Sequence, residues 1–518
     1  MCCEPKLKKT EELEAEIFDD IPRGVVSRYL KEQSAPQSRW VQVADILAHE
    51  AIHYDPKDPG GKILLGAIDE QLIGIDDNRH LVTMAGSRAG KSITAIANLF
   101  FYPGSVLCTD PKGELATLTA QRRADIGQEI YVLDPFEIVE GQAAKFRASF
   151  NPIAGLDRDN KTLIEDVLLI TDAMVVASGE EKDPHWNESA SHFIMGLILY
   201  VCTSPFFKEE ERNLLSVRRL INQALSTEVV EDKKLFIVPR QVVKATAELK
   251  KQGYIDLAEA IEGAMVSFYD KGEDERGSVL STARRHTQFL DFHSMRTVLA
   301  GNDFSLRDLK TAPHGVSVYL VLPATRMGLC NRWLRLFVNQ LLDAMEKERN
   351  VPDVPVLVCL DEFPVLGFMQ QLQDAAGQIA SFGVRLWFIM QDWGQGKALY
   401  GDRFESFIAN ASILQAFGNV DVQTTEYLSK RLGQTFIEDP ATTSAQPTDP
   451  LSGMSASVRQ HYPLLTPDEI AKSFAREDPL KRQMILWAGY NPMILQRVIY
   501  FDQYDPVHSH IIAADQNK

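Results

Sequence analysis

Cysteine is scarce in this chain, and its spacing is uninformative. Six cysteines are spread over 518 residues and no C-x-x-C pair occurs. That excludes a zinc ribbon and a disulfide framework, and it fits a reducing compartment. Long apolar runs are missing too. A membrane-spanning helix needs roughly 20 apolar residues; the longest stretch, Phe193 to Cys202, is about half that and predicts a buried core helix. The first residues, Met1 to Asp20, mix charges of both signs, so no signal peptide is expected. Cys2-Cys3 lacks a preceding apolar segment and reads as a plain cytosolic start. Excess basic charge is also absent. The formal net charge of −17 argues against a general nucleic-acid coat. It leaves room for a basic inner channel, because the field depends on where charge sits. No internal repeat or homopolymer tract is present. Apolar content of 45% and charged content of 24% describe an ordinary globular protein, long enough for two or three domains.

What the chain does have is a split nucleotide site. Ala85-Gly86-Ser87-Arg88-Ala89-Gly90-Lys91-Ser92 follows apolar Leu81 to Met84 and opens a helix-like run, Ile93 to Phe100. The phosphate-loop pattern G-x-x-x-x-G-K-[ST] has Ala at its first position here, and Gly86 is expected to supply the backbone freedom. Backbone N–H groups of Gly86, Ser87, Arg88, Ala89, Gly90, Lys91 and Ser92 are expected to wrap phosphates at a helix N-terminus. Lys91 then reaches the β- and γ-phosphates, and Ser92 ligates Mg²⁺. Far downstream, apolar Val354 to Leu360 ends in Asp361-Glu362. Two acidic residues can simply cap the next turn, but seven mostly β-favouring residues point to a buried parallel strand. On that reading Asp361 holds the metal and Glu362 polarises the attacking water. A third strand, Val384 to Met390, ends in Gln391. Two readings of Gln391 stand: a sensor of the γ-phosphate and water, or a strand-end hydrogen bond. Together these elements describe an ATPase using ATP and Mg²⁺.

Around this site, strands alternate with helices, which predicts a mostly parallel, doubly wound α/β sheet. Residues 1–60 read as an acidic leader and 61–160 as the first part of the nucleotide domain. Residues 161–295 read as an all-α insertion, with strand signals nearly absent. Residues 296–518 complete the nucleotide domain, with a mobile Pro/Ser/Thr-rich loop over 440–463.

The ordered series of motifs resembles the conjugative coupling ATPases of type IV secretion systems, the TraG-type family. It comprises the Ala-initiated phosphate loop, Thr109-Asp110-Pro111-Lys112-Gly113-Glu114-Leu115, Val132-Leu133-Asp134-Pro135-Phe136 and Phe150-Asn151-Pro152. Asp183-Pro184-His185-Trp186, Leu360-Asp361-Glu362-Phe363-Pro364, Leu366-Gly367, Gln391, Tyr400-Gly401 and Leu464-Leu465-Thr466-Pro467-Asp468-Glu469-Ile470 complete it, over roughly Gly61 to Tyr500. The resemblance implies a RecA-like P-loop domain carrying an all-α domain, assembled as a homo-hexameric ring. It implies ATP-driven pumping of DNA, a relaxase–DNA complex or protein effectors, in concert with the secretion-channel ATPases. Whether rings form without DNA is left open.

Family members usually begin with transmembrane helices, and this chain shows none. It is therefore expected to be a cytoplasmic variant, peripheral at the inner membrane, that docks by other contacts or through a partner. Some relatives carry an arginine finger near the Ser381-Phe382-Gly383 stretch. Arg385 is the candidate, with a structural salt bridge as its alternative. Asp110, Lys112 and Asp134 are expected to shape turns. Trp186 stacks on a base or packs, and Arg284-Arg285-His286 contact DNA or form a solvated helix face. Two other functions share these motifs: an FtsK- or HerA-like double-stranded DNA translocase, and a cargo adaptor that binds ATP without cycling.

Overall fold

The computed structural model describes residues 38–176, 185–439 and 458–516. Its strands are β1 (Ile63–Ile68), β2 (Gln71–Ile75), β3 (His80–Ala85), β4 (Val106–Asp110) and β5 (Glu129–Leu133). Then come β6 (Thr227–Val230), β7 (Lys233–Phe236), β8 (Val316–Val321), β9 (Val356–Leu360), β10 (Val384–Met390) and β11 (Ala411–Phe417). Last are β12 (Gln434–Asp439), β13 (Val458–Pro463), β14 (Arg482–Trp487) and β15 (Met493–Gln496).

Eleven of these strands form one sheet in the order β2-β1-β15-β14-β11-β3-β10-β9-β4-β8-β5. From β11 to β5 every neighbouring pair is parallel. β14, β15, β1 and β2 extend the sheet as antiparallel partners. The central strands are near-continuous apolar runs because helices cover both faces; β3, β4, β8, β9, β10 and β11 are buried at every position. The strand order puts β10 between β3, which leads into the phosphate loop, and β9, which ends at Asp361. Three motifs distant in sequence therefore emerge side by side at one sheet edge.

The segment after β5 is helical: Leu163–Met174, His185–Thr203, Leu214–Gln223, Ile237–Lys251, Ile255–Tyr269, Glu273–His286 and His293–Leu299. A two-stranded hairpin, β6–β7, sits among these helices. The helix His185–Thr203 is its axis. Phe193 stacks on Phe268 with ring centroids 3.9 Å apart, and Gly196 lets the backbone approach Ala264, where a Cβ would overlap. The long helix Ala324–Lys347 joins this layer to the sheet. Its Cys330, Trp333, Phe337, Leu341 and Met345 recur at helical spacing and are buried. One apolar core runs continuously through both parts.

Two sequence expectations change. β11 was not anticipated, because Ala411, Ser412, Gln415 and Ala416 dilute its strand pattern. Of the loop expected over 440–463, Val458–Pro463 pairs with β12 as a hairpin, while 440–457 lie outside the described residues. So does the leader up to residue 37. Among the described residues, no helix is long and apolar enough to cross a membrane.

Candidate nucleotide site

The phosphate loop spans the gap between β3 and the helix Lys91–Phe101. Gly90 takes φ +105°, a conformation that only glycine adopts without strain, and Arg88 also lies in the left-handed region at +59°. The role expected of Gly86 is corrected. Its φ is not positive; glycine is needed because a Cβ would overlap the Gly418 carbonyl of the loop after β11. Gly86 N–H donates to Phe417 O at 3.1 Å, so the two loops are laced together. Among the described residues no acceptor takes the N–H of Gly90, Lys91 or Ser92. These donors open a helix, where the backbone dipole favours an anion. Ser87 and Arg88 are exposed, and Ala89 is buried.

Lys91 is nearly buried, and its Nζ is ion-paired with Glu362 Oε1. The same carboxylate oxygen accepts from Gln391 Nε2 at 3.2 Å. Lys91 and Glu362 are 271 positions apart in sequence, so the strand order alone brings them together. Glu362 sits at φ +55°, an uncommon backbone state for a residue with a side chain and one that clusters at functional sites. Asp361 is buried; burial pushes its carboxyl up to about 6, with Lys91 pulling down and Glu362 pushing up. Its main-chain carbonyl accepts from Thr109 Oγ1 at 2.8 Å.

Arg385 lies elsewhere, and the finger role is corrected. It is the second residue of β10, so it sits about 20 Å from Gln391 along the strand. Its fully buried guanidinium donates to Gly61 O at 2.6 Å and pairs with Asp76 at 3.1 Å. The start of a parallel strand faces the edge away from a nucleotide.

Asp110 accepts from Ala116 N at 2.9 Å, and Asp134 from Val139 N at 2.8 Å; both organise turns. Lys112 is exposed beside Glu114. Trp186 is half-buried and packs on the core, while Asp183 and Pro184 lie outside the described residues. His286 is not on a solvated face. It is buried against Asn187 Oδ1 at 3.0 Å, and burial, aided by Arg332 and Arg285, holds it down at about 3.

Two groups near the site escaped the sequence reading. Asn419 Nδ2 holds Gln391 O at 3.0 Å, while its buried Oδ1 has no partner among the described residues. Arg335 donates to Leu366 O and Phe368 O at 2.7 and 2.6 Å, bracing the turn after Glu362. A polar residue just past an apolar strand was the available signal for Asn419, but β11 itself was not recognised. Nothing local marks Arg335.

A strand, a phosphate loop and a helix, with a carboxylate strand two places away, define a P-loop α/β protein. Within that class, the chain belongs to the type IV secretory system conjugative DNA transfer family, whose model matches residues 37–518. It is 27% identical over 455 residues to the conjugal transfer protein TraG of Escherichia coli, covering 83% of this chain and 68% of that one. It is 26% identical over 452 residues to the type IV secretion system-coupling protein VirD4 of Bartonella quintana, covering 85% and 65%. In fold it is similar to the plasmid coupling protein TrwB in complex with ADP and Mg²⁺, with a TM-score of 0.62 at 14% identity over 92% of this chain and 98% of that one.

Proposed function

We propose that this chain is an ATP-hydrolysing coupling motor that moves DNA, bare or relaxase-bound, toward a type IV secretion channel. The observation that carries the reading is the meeting of Lys91, Glu362 and Gln391 at one sheet edge, in a family named for conjugative DNA transfer. The TrwB structure with ADP and Mg²⁺ supports the same nucleotide class and ion here. The Ser92 hydroxyl and the buried Asp361 carboxylate are hard oxygen donors that suit Mg²⁺. Bound there, the ion supplies charge neutralisation on the phosphate oxygens.

The chain's own groups do the rest. The free N–H groups of Gly90, Lys91 and Ser92 bind phosphate oxygens. Lys91 exchanges Glu362 for the β- and γ-phosphates. Relieved of its cation, Glu362 accepts a hydrogen bond from water and orients it for in-line attack. Gln391 keeps that carboxylate aimed, and Asn419 fixes the main chain of Gln391. The motor works as a homo-hexameric ring around DNA, docked on the channel's ATPases, with effector proteins as the alternative cargo.

The test is ATP hydrolysis by purified protein without DNA, with single-stranded DNA and with duplex DNA, beside a size measurement. Stimulation by DNA together with ring assembly is expected. DNA-independent turnover in an assembled ring would remove DNA as the cargo. Nucleotide binding without turnover would return an adaptor.

A further inference from the structure

Arg497 follows β15, far from every nucleotide motif in the sequence, yet its guanidinium reaches the phosphate loop. Nη1 donates to Ala89 O at 2.9 Å. Nη2 donates to Arg476 O at 3.1 Å, and Nε to Lys481 O at 3.3 Å. The group lies over the Phe417 ring, 5.3 Å from its centroid. Phe417 is the residue whose carbonyl holds Gly86 N–H. The next residue, Gly418, packs its α-carbon face on Ala89 and donates to Phe474 O at 2.7 Å. Phe474 ends the helix Pro467–Ser473, which Thr466 and Glu469 close with a reciprocal capping box. The Leu464 to Ile470 motif thereby joins the back of the loop.

We infer that Arg497 is a positioning residue for nucleotide binding, a brace that aims the phosphate loop from behind; this rests on the nucleotide reading of the loop. The argument is one of peptide geometry. No peptide bond among the described residues is cis, so the Ala89 carbonyl and the Gly90 N–H point in opposite directions within one peptide plane. Holding the carbonyl outward turns the N–H inward, toward the phosphates. Gly90, at φ +105°, has no side chain to fix that plane itself. A cation behind the loop also adds favourable potential for the anion in front. The brace acts on ground-state binding, so its loss raises KM and leaves kcat nearly unchanged.

The experiment compares wild type, Arg497→Gln, Arg497→Lys and Arg218→Gln. The last removes a buried arginine from the helical region, where Arg218 pairs with Asp291. Binding is read with N-methylanthraniloyl-ATP, turnover by phosphate release, folding by thermal melting, and loop order by hydrogen exchange of the bonded Gly86 and Ala89 amides without nucleotide. Arg497→Gln is expected to weaken binding about tenfold or more, the worth of a charge-assisted hydrogen bond, at near-wild-type kcat, and to speed exchange of the Gly86 and Ala89 amides. Arg497→Lys recovers part of the affinity, and Arg218→Gln binds as wild type does. Wild-type affinity and exchange in Arg497→Gln would overturn the inference, as would an equal loss in Arg218→Gln. Failure of the wild type to bind the probe would instead overturn the nucleotide reading, and the inference with it.

Discussion

The two ends of the same central strands are built in opposite ways. At the end where the strands start, charged and polar groups are tied to backbone. Arg123 donates to Leu99 O, Tyr102 O and Gly104 O at 2.7–2.9 Å. His80 bonds Ala376 O through one ring nitrogen and the Leu386 N–H through the other. Arg385 holds Gly61 O and Asp76, and among the described residues its Nε has no partner. At the end where the strands finish, the central contact is between side chains. Glu362 takes both Lys91 and Gln391 on one oxygen, and among the described residues the N–H groups of Gly90, Lys91 and Ser92 and the Asn419 Oδ1 have no partner. A backbone carbonyl has no alternative partner to leave for, whereas a side-chain ion pair can be exchanged for a ligand. One edge is closed for stability, and the other is open for chemistry.

Breaking the open edge should cost activity and little stability. Lys91→Ala is expected to lower ATP hydrolysis by at least about a thousandfold, as removal of a transition-state charge does, with a thermal midpoint near wild type. Phosphate release and melting curves measure both. A large fall in the midpoint would mean that the Lys91–Glu362 pair is structural.

Breaking the closed edge should do the reverse. Arg385→Met is expected to lose about 3 kcal/mol of stability, from two charge-assisted hydrogen bonds, with hydrolysis per folded molecule within about twofold of wild type. Urea unfolding and activity at matched folded fraction check it. A finger role would appear as lost kcat without lost stability.

His80 sharpens the contrast through pH. Burial, with a smaller contribution from Arg385, holds its imidazole down at about 4 against an ordinary 6.5, and the Ala376 hydrogen bond opposes this. The unfolded chain therefore binds the proton first. Stability is unaffected above pH 6.5 and falls as pH drops toward 4, by about 2 kcal/mol at pH 5 from this group alone. Urea midpoints at pH 7 and pH 5 should converge in His80→Asn, relative to wild type.

The smallest effect falls on Gln391. Gln391→Ala is expected to lower kcat about tenfold, as loss of one orienting hydrogen bond does, with KM little changed. An unchanged kcat would leave Gln391 as a strand-end hydrogen bond.

How much of this was legible in the sequence depended on whether a residue's role was local. The Gly90-Lys91-Ser92 turn and the strand ending at Asp361 carry their roles in adjacent residues, and both were readable. The reason for Gly86 was not, because it lies in Gly418, on a strand whose own pattern was hidden. β11 escaped recognition because its interior is partly polar. Gln415 is buried in the sheet, bonded to Thr83 at 2.9 Å and Gln483 at 2.5 Å, and no periodicity in the segment itself announces such cross-strand partners. Arg385 carried two readings, and the structure shows the salt bridge; its closeness in sequence to a candidate finger position says nothing about its burial. Arg497 had no motif at all, since its partners are carbonyls, which any residue supplies.

The central claim is that Lys91 and Glu362 hold each other until nucleotide separates them, after which Glu362 serves the water. Parallel titration and turnover of Glu362→Gln with N-methylanthraniloyl-ATP test it most directly. The account predicts binding at least as tight as wild type, because Lys91 has lost its competing carboxylate, together with hydrolysis reduced by at least about a hundredfold. Hydrolysis at the wild-type rate, or loss of nucleotide binding, would contradict it.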